Sequence, residues 1–202
     1  MNGTTTRRLR SRTVQATLMG ISAFALAACD EPVDLSFFQD IEQCQTEAAS
    51  SAEFDAGDCD AAFAMAMKEH AVLAPRYDEL ALCEEQHGEG ACGTPDEAGG
   101  VADPVHAGGP SFMPFFMGYM IGNAFRGAQP GVAGRPLYAD ARGGLFSTTG
   151  QKMGFAGPGS VVRTSPAALR APAAATVAAP MTRSVVSSRG GFGGARSASF
   201  GG

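Results

Sequence analysis

Ser111-Phe112-Met113-Pro114-Phe115-Phe116-Met117-Gly118-Tyr119-Met120-Ile121-Gly122-Asn123-Ala124-Phe125-Arg126-Gly127 is the most hydrophobic stretch of the chain beyond residue 29, and its reading decides the fold. From Phe112 to Phe125 is 14 residues, about 21 Å as a helix and short of the ~30 Å hydrocarbon core of a bilayer. The segment therefore does not span a membrane. Read as a helix, Gly118 and Gly122 form a small-xxx-small pair that permits close approach of a second helix. Phe112, Met113, Phe115, Phe116, Met117, Tyr119, Met120 and Ile121 then make, with the two glycines, an adaptable apolar patch for a partner or for shallow burial in a bilayer. The competing reading is that the segment docks on the preceding module and completes its core.

Outward from this patch the chain divides into unlike halves. Of 202 residues, 27 are Gly and 12 are Pro, so one large densely packed domain is not expected. The net charge of −5 hides a partition. Residues 29–103 carry 19 of the 20 acids against Lys68 and Arg76, a balance of −17, and residues 104–202 carry Asp140 against nine arginines and lysines, a balance of +8. Blocks of one sign act as solvated faces or interaction tails. The basic half either folds back on the acidic one or binds an external polyanion such as anionic lipid headgroups. Residues 128–202 are rich in Gly, Ala, Pro and Ser, which bury too little apolar surface to offset chain entropy, and most of this tail is expected to be disordered. The single Arg189-Gly190-Gly191-Phe192 run is too little to imply nucleic-acid binding.

The acidic part, residues 29–103, has the signals of a small folded module. Val33, Leu35 and Phe37 alternate with Asp34 and Ser36, the period of a half-buried strand. Asp40 with Gln43 three residues on is a capping-box arrangement that opens a short helix to about Ala49. A second helix follows Asp60 and stops at Pro75, with Phe63, Met67, His70 and Ala71 on one face. A third runs from Asp78 to His87 and ends at Gly88. Cys44, Cys59, Cys83 and Cys92 make an even count, which in a small exported module implies two disulfides. Sequential pairing, Cys44 with Cys59 and Cys83 with Cys92, is expected because the two halves look related. Phe38, Ile41 and Cys44 repeat the spacing of Tyr77, Leu80 and Cys83. Each short loop closed contributes roughly 3 kcal/mol. Cys83, His87 and Cys92 do not have paired metal-ligand spacing, and no metal or cofactor is expected. The overall expectation is a small α-rich (α+β) disulfide-stapled module, a Gly/Pro linker and apolar patch over 104–127, and a largely disordered Gly/Ala/Pro-rich tail.

The first 28 residues supply an address. Arg7, Arg8, Arg10 and Arg12 precede an apolar run from Val14 to Ala28, the two regions of an export signal. The run ends Leu26-Ala27-Ala28-Cys29, which resembles the bacterial lipobox, and the resemblance implies acylation of Cys29 after cleavage. Buried methylenes contribute roughly 0.8 kcal/mol each, so two or three chains hold a protein on a bilayer almost permanently. Asp30 after the cysteine leaves both inner and outer membrane open.

Catalytic signatures such as GxSxG, HExxH and a phosphate loop are absent, and no catalytic residue is assigned. A family resemblance covers nearly the whole chain from Cys29 onward. It rests on Cys29, Ala74-Pro75-Arg76-Tyr77 before Cys83, Gly88-Glu89-Gly90-Ala91-Cys92, Phe112-Met113-Pro114 with Gly118-Tyr119-Met120-Ile121-Gly122, Pro136-Leu137-Tyr138, and Arg189-Gly190-Gly191-Phe192-Gly193. In these motifs the chain resembles the YgiB-type uncharacterised lipoproteins of proteobacteria, a domain-of-unknown-function group. The resemblance implies a periplasm-facing envelope lipoprotein with no assigned activity. The functional expectation is a non-enzymatic interaction or structural protein, held on the bilayer through acylated Cys29 and contacting an envelope protein. The alternative is a module that binds a small cation or polyamine on its acidic face.

Overall fold

The computed structural model describes residues 31–101, 109–126, 129–170, 177 and 179–191. Strand β1, Val33–Phe38, forms where the alternation placed it, but its last four residues, Ser36 included, are buried on both faces rather than alternating. Helix α1, Ile41–Ala48, starts where Asp40 accepts the Gln43 N–H at 2.8 Å. Helix α2, Ala56–Leu73, begins upstream of the expected Asp60 because Asp55 and Asp58 form a reciprocal capping box. Helix α3, Leu80–His87, ends at Gly88, whose φ of 111° is open to glycine and costly for other residues. A short pair, β2 (Cys92–Gly93) with β3 (Met113–Pro114), flanks the turn of helix α4, Pro95–Ala98.

The hydrophobic stretch at 111–126 is extended rather than helical. It supplies β3 and then β4, Gly118–Arg126. Four further strands follow: β5 (Gln129–Ala139), β6 (Leu145–Ser147), β7 (Lys152–Met153) and β8 (Val161–Thr164). They join β1 and β4 in a six-stranded antiparallel sheet of order β7-β6-β5-β4-β1-β8. A one-turn 3-10 segment, Pro166–Leu169, and helix α5, Arg183–Arg189, complete the described elements. This overturns the expected α-rich module with a largely disordered tail, because four of the six strands lie beyond residue 128. The strand read at residues 33–38 sits between β4 and β8, so both halves of the chain are woven into one sheet.

The sheet curls. In a flat six-stranded sheet the edges stand about 24 Å apart at the usual strand spacing. Here the chain passes from edge strand β7 to edge strand β8 through residues 154–160, which include a turn closed by the Ser160 N–H on the Gly157 carbonyl. Phe155 in that crossing packs its ring 5.6 Å from Phe37 on β1. Met153 of β7 shares one core with Leu35, Phe37, Met120, Leu137 and Leu169. The inner face thus closes on itself as an open, barrel-like roll, each such large side chain contributing roughly 1.5–3 kcal/mol on burial.

The other face carries Phe38, Tyr119 and Ile121 and is covered by α1 and α2. The buried side of α2 is Cys59, Ala62, Ala66, Glu69 and His70, one position round from the Phe63–Met67 face expected from hydropathy. Small residues on this side let the helix backbone settle on the sheet. At Gly134 of β5 the approach is so close that an added Cβ would collide with the Ala62 carbonyl. Gly118 and Gly122 likewise admit β1, the first against the Phe38 backbone and the second against Leu35, and their spacing serves strand packing rather than a helix dimer.

Both disulfides follow the sequential pairing. Cys44–Cys59 joins α1 to α2, and Cys83–Cys92 joins α3 to β2. Pairs also form between the oppositely charged halves: Arg135 with Glu69, Arg163 with Asp34, and Arg183 with Glu79 and Glu85. Replacing Gly134 by Ala is expected to lower stability by about 2 kcal/mol, the usual scale for overpacking. Urea denaturation of Gly134→Ala beside Gly131→Ala, where a Cβ meets nothing within 4 Å, checks this, with little change expected from the second.

Candidate functional site

The polar groups that the fold gathers in its interior centre on two histidines, one near the end of α2 and one at the end of α3. Near the C-terminal end of α2, His70 is fully buried, with Nε2 2.7 Å from the Ala98 carbonyl and Nδ1 3.1 Å from the Tyr138 hydroxyl. A carbonyl can only accept, so Nε2 carries the proton and Nδ1 accepts from the phenol. His87, the last residue of α3, repeats the arrangement with the nitrogens exchanged. Its Nδ1–H donates to the Ala139 carbonyl at 2.7 Å, and its Nε2 accepts from the Tyr77 hydroxyl at 2.9 Å. Each imidazole thus clasps a helix to a backbone carbonyl of a different element: His70 ties α2 to the end of α4, and His87 ties α3 to the end of β5.

Electrostatics agree with neutral rings. Burial lowers the His70 pKa against the opposing effect of the Ala98 hydrogen bond, and the Arg76 charge lowers it further. For His87 burial outweighs the Ala139 hydrogen bond and the Asp140 charge, and brings the pKa to about 4. Burial pushes the Tyr77 and Tyr138 phenols up, so both remain protonated and available as donors. Beside this network Glu69 and Arg135 pair at 2.7 Å with both side chains enclosed. Thr148 donates to the second Glu69 oxygen, and Arg135 also donates to the Leu169 carbonyl. Such an enclosed pair needs these extra hydrogen bonds to offset its desolvation.

Ring contacts connect the two clasps and continue beyond them. Tyr77, His87, Tyr138, His70, Phe116, Phe63, Tyr119, Phe38 and Phe54 form one unbroken ladder, with successive centroids between 5.5 and 6.4 Å. The ladder runs along the seam between helices and sheet. Its chemistry is cohesive: both nitrogens of each imidazole are engaged, and the four cysteines of the described fold are oxidised. The set Cys83, His87 and Cys92 cannot act as metal ligands while the two sulfurs are joined to each other. Among the described residues no cluster of three or more His, Cys, Asp or Glu is placed to hold a metal ion.

A family model described as a protein of unknown function, DUF1190, matches residues 32–201. The chain belongs to this family. It is also similar to a UPF0441 protein of Pectobacterium atrosepticum, with 31% identity over 195 residues that cover 91% of this chain and 81% of that one. A UPF0441 protein of Erwinia tasmaniensis is 31% identical over 186 residues, 87% of this chain and 78% of the relative. A third, from Klebsiella pneumoniae, is 31% identical over 181 residues, 85% of this chain and 76% of its own. No solved structure matches the chain. The family is an uncharacterised bacterial one, in line with the resemblance read from the motifs.

The residues singled out from sequence fall into three groups. Cys44, Cys59, Cys83 and Cys92 are buried staples of the helical layer. In the apolar stretch, Met113, Tyr119, Met120 and Ile121 are enclosed in the core, Phe112 and Phe116 pack against it, and Gly118 and Gly122 admit β1. Phe115 and Met117, at 39% and 38% exposure, are the members that reach solvent. Cys29 lies outside the described residues, as does His106. The His–Tyr clasps were missed because nothing local in the sequence ties His70 to Tyr138. Only the pairing of β5 with α2 does so.

The clasps make stability depend on pH. Unfolded histidine takes up its proton near pH 6.5, whereas His87 in the fold does so near 4. Between those values the unfolded chain binds more protons, so stability falls as the pH falls. Integrated over the window, His87 accounts for about 3 kcal/mol. Urea midpoints measured from pH 7 to 5 should decline in the wild type and decline less in His87→Gln.

Proposed function

We propose that the protein is a lipid-anchored, periplasm-facing lipoprotein of the bacterial envelope whose role is non-enzymatic, as an interaction or structural protein. The observation that carries this reading is Leu26-Ala27-Ala28-Cys29 at the end of an apolar run that follows four arginines. Two disulfides support it, since such bonds persist in oxidising compartments outside the cytoplasm. The interior supports it as well: the two buried histidines are spent on clasping the fold, and the buried Glu69 on its pairing with Arg135. Asp40, Asp55, Asp58 and Glu97 cap helices, and Asp34, Glu69, Glu79 and Glu85 face arginines. The competing reading is a cation or polyamine site on the acidic face.

Metabolic labelling with a palmitate analogue in a bacterial host tests the anchor. The wild type should carry label and fractionate with membranes. Cys29→Ser should lose the label and leave the membrane fraction while retaining the Cys44–Cys59 and Cys83–Cys92 peptides in a non-reduced digest. An unlabelled wild type would remove the proposal.

A further inference from the structure

Asp34 and Ser36 alternate with Val33, Leu35 and Phe37, which in a half-buried strand places both polar residues on the solvent side. Asp34 is exposed there, but only 6% of Ser36 reaches solvent. Its neighbours across the sheet are Ile121 of β4 and Val161 of β8, two side chains with nothing to offer a hydroxyl. Among the described residues the Ser36 hydroxyl makes no hydrogen bond. A buried hydroxyl without a partner costs stability, and nothing in the packing of the sheet requires one at this position.

Ser36 lines a cleft of about 220 Å³, open to solvent, on the sheet face that carries Phe38 and Ile121. Ile121 and Val132 give the cleft an apolar wall, and the loop between α1 and α2 brings Glu53 and Phe54 to it. Phe54 is held by an edge-on contact with Phe38, ring centroids 5.9 Å apart. The Glu53 N–H donates to Ser51 Oγ and fixes the same loop. Asp34 completes the lining. Its carboxylate faces Arg163 at 3.9 Å, with 71% of the arginine side chain exposed, a separation longer than a hydrogen bond that leaves the Asp34 oxygens able to accept. Two exposed carboxylates and one enclosed, unpartnered hydroxyl therefore share a cleft with an aromatic ring and aliphatic side chains.

A primary ammonium group on an alkyl stem matches this set. It carries three N–H donors for the three acceptors, its charge is met by two carboxylates, and it is attracted to the face of an aromatic ring. Calcium takes six to eight oxygen ligands, and among the described residues no three His, Cys, Asp or Glu are placed for a metal ion. A quaternary ammonium has no N–H for Ser36. We propose that this cleft binds an alkyl primary ammonium ion, with Asp34 and Glu53 meeting its charge and Ser36 accepting one of its N–H bonds. The inference rests on the cation reading above, which it narrows to one cleft and one chemical class, and it is independent of the lipid anchor.

The probe is n-butylammonium chloride, titrated at constant ionic strength into isotope-labelled full-length protein in a neutral maltoside detergent and followed by amide NMR. Tetramethylammonium and calcium chlorides serve as parallel arms. The expected result is a saturable shift confined to Asp34, Ser36, Glu53, Phe54, Ile121 and their sequence neighbours, with tetramethylammonium binding severalfold more weakly. Glu53→Gln, a change at an exposed loop position, should weaken butylammonium binding about tenfold, the scale of one lost charge-assisted hydrogen bond. Ser36→Ala should also weaken binding while raising the urea midpoint, because the unpartnered hydroxyl is gone. Butylammonium shifts that map elsewhere, equal affinity for tetramethylammonium, or wild-type affinity in both variants overturns the cleft and leaves the cation reading standing. No saturable shift with butylammonium overturns the inference, and none with calcium either removes the cation reading with it.

Discussion

The rest of the structure depends on the contact between α2 and β5, where the Ala62 backbone rests on Gly134. A strand buried on both faces must have a helix against its outer side, and only a glycine opposite a small-residue helix face allows backbone-to-backbone approach. From that contact the remaining placements follow. Ala66 and His70 come next along α2, Tyr138 lies four residues along β5, and the imidazole and phenol meet at 3.1 Å. Glu69, on the neighbouring position, reaches Arg135. A bulkier residue at 134 would lift the helix and pull apart the hydrogen bond, the ion pair and the ring ladder together, because all three bridge the same interface.

What was legible in the sequence was local. Asp40 with Gln43, Gly88 after His87 and the β-pattern of residues 33–38 are signals between near neighbours, and the cap, the helix end and the strand each form where they were read, although the strand is buried on both faces over its last four residues. The disulfides belong to the same class, since they close loops of 15 and 9 residues within the helical layer. The sheet was not legible, for two physical reasons. Over Gly118–Gly122 both faces of β4 are buried, so its apolar residues run on without alternation and look like any short buried segment, helical ones included. In β5 the glycines and prolines mimic a structureless tail. Gly134 is there to admit α2, and Pro130 and Pro136 sit where β6 does not extend along the strand, a position in which a missing N–H is tolerated.

Charge partition has a similar explanation. The acids cluster in the helical first half and the arginines in the strand-rich second half, and folding interleaves the two. Arg135, Arg163 and Arg183 each meet an acid from before residue 103. These pairs differ in weight. Arg163 and Arg183 are exposed, where an ion pair contributes little. The enclosed Glu69–Arg135 pair is different in kind, since removing either partner strands a buried charge at a cost of about 3–5 kcal/mol.

Topology also orders the assembly of the fold. The partners of β1 lie far along the chain, Leu35 pairing with Gly122 on one side and Val162 on the other. Until residue 164 has joined the sheet, β1 has an open edge and its inner residues have no core, because Leu169 and Met153 close it from the opposite side. Non-local pairing of this kind is slow, since the loop entropy is lost before the contacts form. The helical layer has the reverse character. Capped helices α1 and α2 and their disulfide are neighbours in sequence and can form while the sheet is still incomplete.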